Sequence, residues 1–219
     1  MQLYNYFRSS ASYRVRIALA LKGLSYEYVA VHIVKNEHLA EGIRALLPNQ
    51  LVPSLVLDDA DADGERSVLT QSLAILEYLE ETHPAPPLLP PDPVGRARVR
   101  AIALDIACEI HPIDNLRVLR YLVKEMGISE DDKNRWYRHW VETGLETVER
   151  QLAGHPATGR FCHGDTPGLA DCVLVPQIHN AQRMSCRLDH VPTVMRIFEA
   201  CMAESAFAST QASACPDAA

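Results

Sequence analysis

Three short stretches of the chain combine hydroxyls, backbone breakers and cations in ways that can handle an anion. Arg8-Ser9-Ser10-Ala11-Ser12-Tyr13-Arg14-Val15-Arg16 runs out of an aromatic segment into a helical pattern. Serine hydroxyls and the free backbone N–H groups of a helix start favour negative charge, and a thiolate is such a charge. The same serines also read as an ordinary N-cap. Val52-Pro53 stands just before a strand. A cis proline there would turn the Val52 N–H and C=O outward, able to pair with an extended peptide. The plainer reading is a trans proline at a strand start. Gln71-Ser72 sits at a strand-to-helix junction. Ser72 caps the helix in the simple reading, and with the free N–H groups it could also hold a carboxylate.

Two further residues carry charge that chemistry could use. Arg183 closes Asn180-Ala181-Gln182-Arg183 near a helix end, where a cation is favourable in any case. His111 precedes Pro112 and titrates at about pH 6.5 when unperturbed. The six cysteines (Cys108, Cys162, Cys172, Cys186, Cys201 and Cys215) form no CxxC pair and match no zinc spacing. They read as free, buried thiols of a reducing compartment, with no metal.

The elements that must position these residues follow from periodicity. Gln2 to Phe7 alternates and reads as a strand. Ser10 to Lys22 is helical, with Arg14, Ile17, Ala18 and Leu21 on one face and Gly23 as a stop. Tyr26 to Val34 reads as a strand and Glu37 to Leu47 as a helix. A strand follows Pro53. Asp58 to Arg66 is an acidic turn, Ser67 to Leu69 the return strand, and Ser72 to Thr82 a helix. Residues 1–82 therefore form a β-α-β-α-β-β-α domain. His83 to Pro93 holds six prolines and is a linker. Residues 94–219 are helical throughout: Val94 to Met126 as one long helix or a pair kinked at Pro112, then Asp131 to Leu152, Gly168 to Arg183 and Pro192 to Glu204. The tail from Ala208 is small and polar, and is expected to fray.

Composition bounds the function. With 47% hydrophobic residues and 22% charged, the 219 residues suit two modest globular domains. A net charge of -7 without clustered Lys and Arg argues against nucleic acid. No apolar run of about 18 residues suggests a membrane span. The start, Met1-Gln2-Leu3-Tyr4-Asn5, does not read as a signal peptide, so a cytoplasmic location is expected.

Taken together, the motifs resemble the zeta class of the glutathione transferases, which includes maleylacetoacetate isomerase. The resemblance rests on Arg8-Ser9-Ser10 to Arg16-Ile17-Ala18-Leu19, on Leu51-Val52-Pro53, on the run from Gln71-Ser72-Leu73 to Leu79-Glu80, and on Leu88-Leu89-Pro90. In the second half it rests on Asn115-Leu116-Arg117-Val118-Leu119, Leu169-Ala170-Asp171 and Leu174-Val175-Pro176-Gln177. It extends to about Phe207. The resemblance implies a thioredoxin-like α/β N-terminal domain, an all-α C-terminal domain, a homodimer and a glutathione site. In that site Ser9 bonds the glutathione sulfur, with Ser10 beside it and Arg14 on the same helix. Val52 pairs through its backbone next to a cis Pro53, Gln71 and Ser72 hold the γ-glutamyl end, and His38 meets the glycyl end. His111, Asn115 and Arg117 reach glutathione from the second domain. Arg8 and Arg183 bind a small dicarboxylate substrate.

The implied activity is cis–trans isomerisation of a maleyl acid: maleylacetoacetate to fumarylacetoacetate in tyrosine and phenylalanine catabolism, or maleylpyruvate. Glutathione conjugation or dehalogenation is the enzymatic alternative. A glutathione-binding interaction protein is the non-enzymatic one, and Arg8, Ser9 and Arg183 together argue against it. Two positions depart from the class. Ala11 stands where many members carry cysteine, and Gly168 where Ser or Thr usually caps a helix.

Overall fold

Short, β-branched and aromatic segments at the N-terminal end pair into one sheet. In the computed structural model, which describes all residues except 45, 61–65 and 219, the strands are β1 (Gln2–Asn5), β2 (Glu27–Ala30), β3 (Ser54–Ala60) and β4 (Arg66–Thr70). Their order is β2-β1-β3-β4. β1 runs parallel to β2, with Leu3 opposite Tyr28. It runs antiparallel to β3, with Leu3 opposite Leu55, and β3 is antiparallel to β4. Most of the acidic turn read at 58–66 lies outside the described residues.

A parallel β1–β2 pair needs a crossover, and helix α1 (Ser10–Leu21) supplies it. Helix α2 (Ser72–Thr82) follows β4. Leu3, Ile17, Leu55, Ile75, Leu76 and Leu79 are fully buried and form the core of this α/β unit. Two polar clamps join α1 to α2. Arg14 Nη1 donates to Ser72 Oγ at 3.2 Å, and Lys22 Nζ donates to Glu80 Oε2 at 2.9 Å. Both pairs are 58 residues apart in sequence, so the two helices run parallel. Lys22 Nζ also donates to the carbonyls of His83 (2.6 Å) and Pro86 (3.0 Å), which ties the start of the proline-rich stretch to this unit.

Where a helix is expected over Glu37 to Leu47 there are two 3-10 turns, Glu37–Leu39 and Glu41–Ile43, and a third, Ile33–Lys35, takes the end of the strand expected to reach Val34. Local side chains win over helical period here. His32 Nδ1 accepts from Lys35 N–H, Glu37 Oε2 accepts from His32 N–H, and Asn36 adopts φ 63° while Ala40 is extended.

The second unit spans Leu89–Ala203 and the first comprises Met1–Leu88 with Glu204–Ala219. The boundary thus falls inside the proline-rich stretch, and the final residues join the first unit rather than the helical one. Nor is the tail frayed. Tyr13 Oη donates to the Phe207 carbonyl at 2.7 Å, and Arg16 Nε to the Thr210 carbonyl at 3.0 Å. Arg16 is buried, so its guanidinium must find protein acceptors, and the tail supplies one. The single-turn helix α8 (Ser205–Ala208) lies in this returning segment.

The second unit is helical: α3 (Pro93–Leu104), α4 (Leu116–Lys124), α5 (Glu130–Leu152), α6 (Leu169–Arg183) and α7 (Pro192–Met202). Of the two forms expected over Val94 to Met126, one long helix or a pair kinked at Pro112, the structure has the broken pair. A π-helical stretch, Asp105–Ile110, passes into a 3-10 turn, His111–Ile113, at Pro112, which lacks the N–H a helix needs. Gly144 of α5 permits a close approach there, since a Cβ would come within 2.4 Å of Ile110 Cγ1. At the start of α6 the Gly168 departure is compensated. Asp171 accepts from the Gly168 N–H at 2.8 Å and from the Cys162 N–H at 2.9 Å. All six cysteines are free; Cys108 is exposed, against the expectation of burial, and Cys186 is half-buried. Among the described residues no helix is long and apolar enough to cross a membrane.

Candidate active site

Sheet register brings the first unit's motifs to one edge. Tyr4 pairs with Ser54, and Ser54 with Thr70. The loop after β1, the residues before β3 and the residues after β4 therefore share the same end of the sheet. There α1 and α2 both begin, each presenting backbone N–H groups without intrahelical acceptors.

Ser9 is the N-cap of α1, with φ -73° and ψ 116°. Its Oγ accepts from Ser12 N–H at 3.2 Å, which leaves its own O–H proton to donate elsewhere. Ser9 is half-buried, Ser10 is buried at the first helical position, and Arg8 is exposed with its guanidinium 4.9 Å from the Phe7 ring centre. Of the two serines, Ser9 is the one placed to meet a ligand. Ala11 is half-buried in the first turn and brings no polar group to this edge.

The Val52–Pro53 peptide is cis. Among the described residues, neither the N–H nor the C=O of Val52 is taken by another backbone group. Gln71 is exposed and holds φ 66°, ψ 114°. A non-glycine residue there costs of order 1–3 kcal/mol, a strain that persists at sites that use the geometry. Ser72 is buried, and its Oγ accepts from the equally buried Arg14. Arg14 therefore stands behind Ser72 rather than at the edge itself. His38 is half-buried in the second 3-10 turn. An extended peptide with an anionic group at each end fits this set: a backbone partner at Val52, flanked by two helix N-termini.

The remaining predicted residues belong to the second unit. His111 opens the 3-10 turn and is half-buried. Asn115 is the N-cap of α4. Its Oδ1 accepts from Val118 N–H at 3.1 Å and its Nδ2 donates to the Pro112 carbonyl at 2.8 Å, so its side chain is committed to the local fold. Arg117 is exposed in the first turn of α4, where a cation gains nothing from the helix dipole. Arg183 is exposed in the last turn of α6 and donates to Asn180 Oδ1 at 3.3 Å. Sequence reasoning missed Asp114, beside this group. It is buried, both its carboxylate oxygens lack a hydrogen-bond partner among the described residues, and burial pushes its pKa up to about 8. An aspartate just before an N-cap asparagine gives no hint of this in sequence.

The chain matches two family models, "Glutathione S-transferase, N-terminal domain" over residues 3–87 and "Glutathione S-transferase, C-terminal domain" over residues 141–201. It belongs to the glutathione S-transferase family. Among relatives of this transferase, the maleylpyruvate isomerase of a Ralstonia species is 48% identical over 219 residues, covering 100% of both chains. A holo structure of a maleylpyruvate isomerase, a bacterial zeta-class glutathione S-transferase, superimposes with a TM-score of 0.93 at 47% identity, again over 100% of both chains. The maleylacetoacetate isomerase of Anaeromyxobacter dehalogenans 2CP-1, solved with dicarboxyethyl glutathione and citrate in its active site, gives a TM-score of 0.88 at 43% identity, covering 100% of this chain and 97% of that one. The α/β and helical parts expected of the transferase fold are thus both present.

Proposed function

We propose that this transferase is a glutathione-dependent cis–trans isomerase of maleyl dicarboxylic acids. The observation that carries the reading is the edge where cis Pro53, a Val52 backbone that no backbone group of the described residues takes, strained Gln71 and two helix N-termini meet, in a chain 48% identical to a maleylpyruvate isomerase. Glutathione, when bound, supplies a thiolate that adds to the cis double bond, leaves it free to rotate and departs again. Ser9 donates its O–H to the sulfur, with Ser10 beside it in the helix start. These N–H dipoles favour the thiolate over the thiol, whose free pKa is about 8.5. The Val52 backbone pairs with the cysteinyl portion. Gln71 and Ser72 hold the γ-glutamyl carboxylate, with Arg14 fixing the Ser72 hydroxyl. His38 takes the glycyl end, and the family resemblance adds His111, Asn115 and Arg117, of which Asn115 has its side chain already bonded to the Val118 N–H and the Pro112 carbonyl. Arg8 and Arg183 offset the two substrate charges, which arginine does with a permanent cation and a planar fork. A cytoplasmic location is part of this proposal. An isomerisation assay on maleylacetoacetate and maleylpyruvate, with and without glutathione, tests the reading; turnover that ignores glutathione would defeat it.

Arg183→Met keeps the side chain's length without its charge. Its expected cost on a maleyl substrate is about 2–3 kcal/mol in transition-state terms, with glutathione affinity barely changed. Activity on a neutral aromatic halide should be preserved. Equal losses on both substrates in steady-state kinetics would make Arg183 structural. The family resemblance also supports a homodimer. Sedimentation should give twice the chain mass, and a concentration-independent monomer would reject it.

A further inference from the structure

The loop that carries Arg8 and Ser9 is held from behind by the end of the chain. Its first peptide groups are bonded on both sides. Phe7 N–H donates to Asp217 Oδ2 at 3.2 Å, and the Phe7 carbonyl accepts from Arg16 Nη2 at 3.1 Å. The other carboxylate oxygen of Asp217 accepts from Tyr28 Oη on β2. Burial and the Asp217 bond both raise the Tyr28 pKa, so the phenol stays a donor. Arg16 completes the arrangement. Its Nη1 reaches Asn5 Oδ1 at 3.0 Å and the Tyr6 carbonyl at 3.4 Å, while its Nε holds the Thr210 carbonyl. The Ser9 N–H in turn bonds the Tyr6 carbonyl at 2.9 Å, so Ser9 is two hydrogen bonds from the tail. A side-chain carboxylate on a backbone N–H is a charge-assisted bond, stronger than a neutral one.

We propose that Asp217, anchored by Tyr28, is a positioning residue that sets where the Ser9 hydroxyl and the α1 N-terminus stand relative to the glutathione sulfur. The proposal rests on the assignment of Ser9 to the sulfur. Small displacements of a catalytic group cost rate steeply, on the order of 100-fold per ångström. Asp217 touches neither glutathione nor substrate in this account; it acts through the Phe7 peptide.

The test compares Asp217→Ala, Asp217→Asn and Ser9→Ala. In Asp217→Ala, kcat should fall about 10-fold with less than about a 2-fold change in the KM for glutathione, as expected when positioning rather than binding is lost. The pKa of bound glutathione, read from thiolate ultraviolet absorbance, should rise. Amide exchange should quicken in residues 8–12 while the buried strands stay protected. Asp217→Asn keeps an acceptor oxygen and should restore most of each readout. Should Asp217→Ala not fold, Tyr28→Phe removes only the second anchor and should show the same changes in smaller measure. An unmoved thiol pKa in Asp217→Ala, with Ser9→Ala shifting it, would overturn the positioning role alone. An unmoved thiol pKa in Ser9→Ala would overturn the Ser9 assignment and the proposal with it.

Discussion

Ser9→Ala should lower isomerisation by about 10²–10³-fold, the range seen when one preorganised donor to a developing or full anion is removed, or about 2.7–4 kcal/mol. Glutathione affinity should fall far less, because Val52, Gln71 and Ser72 hold the rest of the molecule in the proposed site. The expectation follows from geometry. Ser9 Oγ already accepts the Ser12 N–H, which orients the oxygen and leaves the hydroxyl proton to give away. Alanine removes both the donor and the cap, and the lost cap costs about 1 kcal/mol of stability. Denaturation midpoints measured beside the kinetics separate the two losses. The pH–rate profile should shift to higher pH, since a weaker anion site leaves less thiolate at neutral pH. A bound-thiol pKa identical to wild type would remove Ser9 from the sulfur and leave Ser10 as the candidate.

Glu80→Ala should destabilise the protein by about 3–5 kcal/mol, the cost of stranding one charge of a buried pair. Glu80 and Lys22 are both buried, and one carboxylate oxygen accepts from Lys22 Nζ and from the Leu88 N–H, each at 2.9 Å. Among the described residues, alanine leaves the ammonium with the carbonyls of His83 and Pro86 and takes away the acceptor of the Leu88 N–H. Glu80→Gln keeps an acceptor and should cost less. Urea unfolding of all three proteins gives the comparison. A loss below about 1 kcal/mol in Glu80→Ala would mean that water reaches Lys22 and that the clamp contributes little.

Much of the first unit could be read from sequence because local and tertiary preferences agree there. The strand-to-helix step at Ser9–Ser10 has N-cap residue, apolar period and turn position all pointing one way; at Gln71–Ser72 the cap expected at Ser72 falls on Gln71 instead, without a side-chain cap bond, and the Ser72 hydroxyl goes to Arg14. Residues 32–43 could not be read so, because the caps formed by His32 and Glu37 override a plausible helical pattern. The cis state of Pro53 was one of two local readings, favoured over trans only through the resemblance, since no local residue type compels it. Arg14 and Arg16 show the other limit. Sequence places both in α1, and Arg14 on the face that packs, but not the partners that make a buried arginine tolerable: Ser72 for one, and Asn5, Phe7 and Thr210 for the other. The tail read as frayed for the same reason, as nothing in a run of small residues announces a carbonyl that a distant guanidinium requires.

That returning tail also sets an order of events during synthesis. The α/β unit is discontinuous, drawing on residues 1–88 and again on 204–219. A nascent chain that has made its sheet and both clamped helices still lacks the acceptors for Tyr13 Oη and Arg16 Nε, and the carboxylate for Phe7. The helical unit between them is complete in sequence before the α/β unit is. The ribosome therefore delivers the loop carrying Ser9 early, and the residues that lock it only after the whole helical unit.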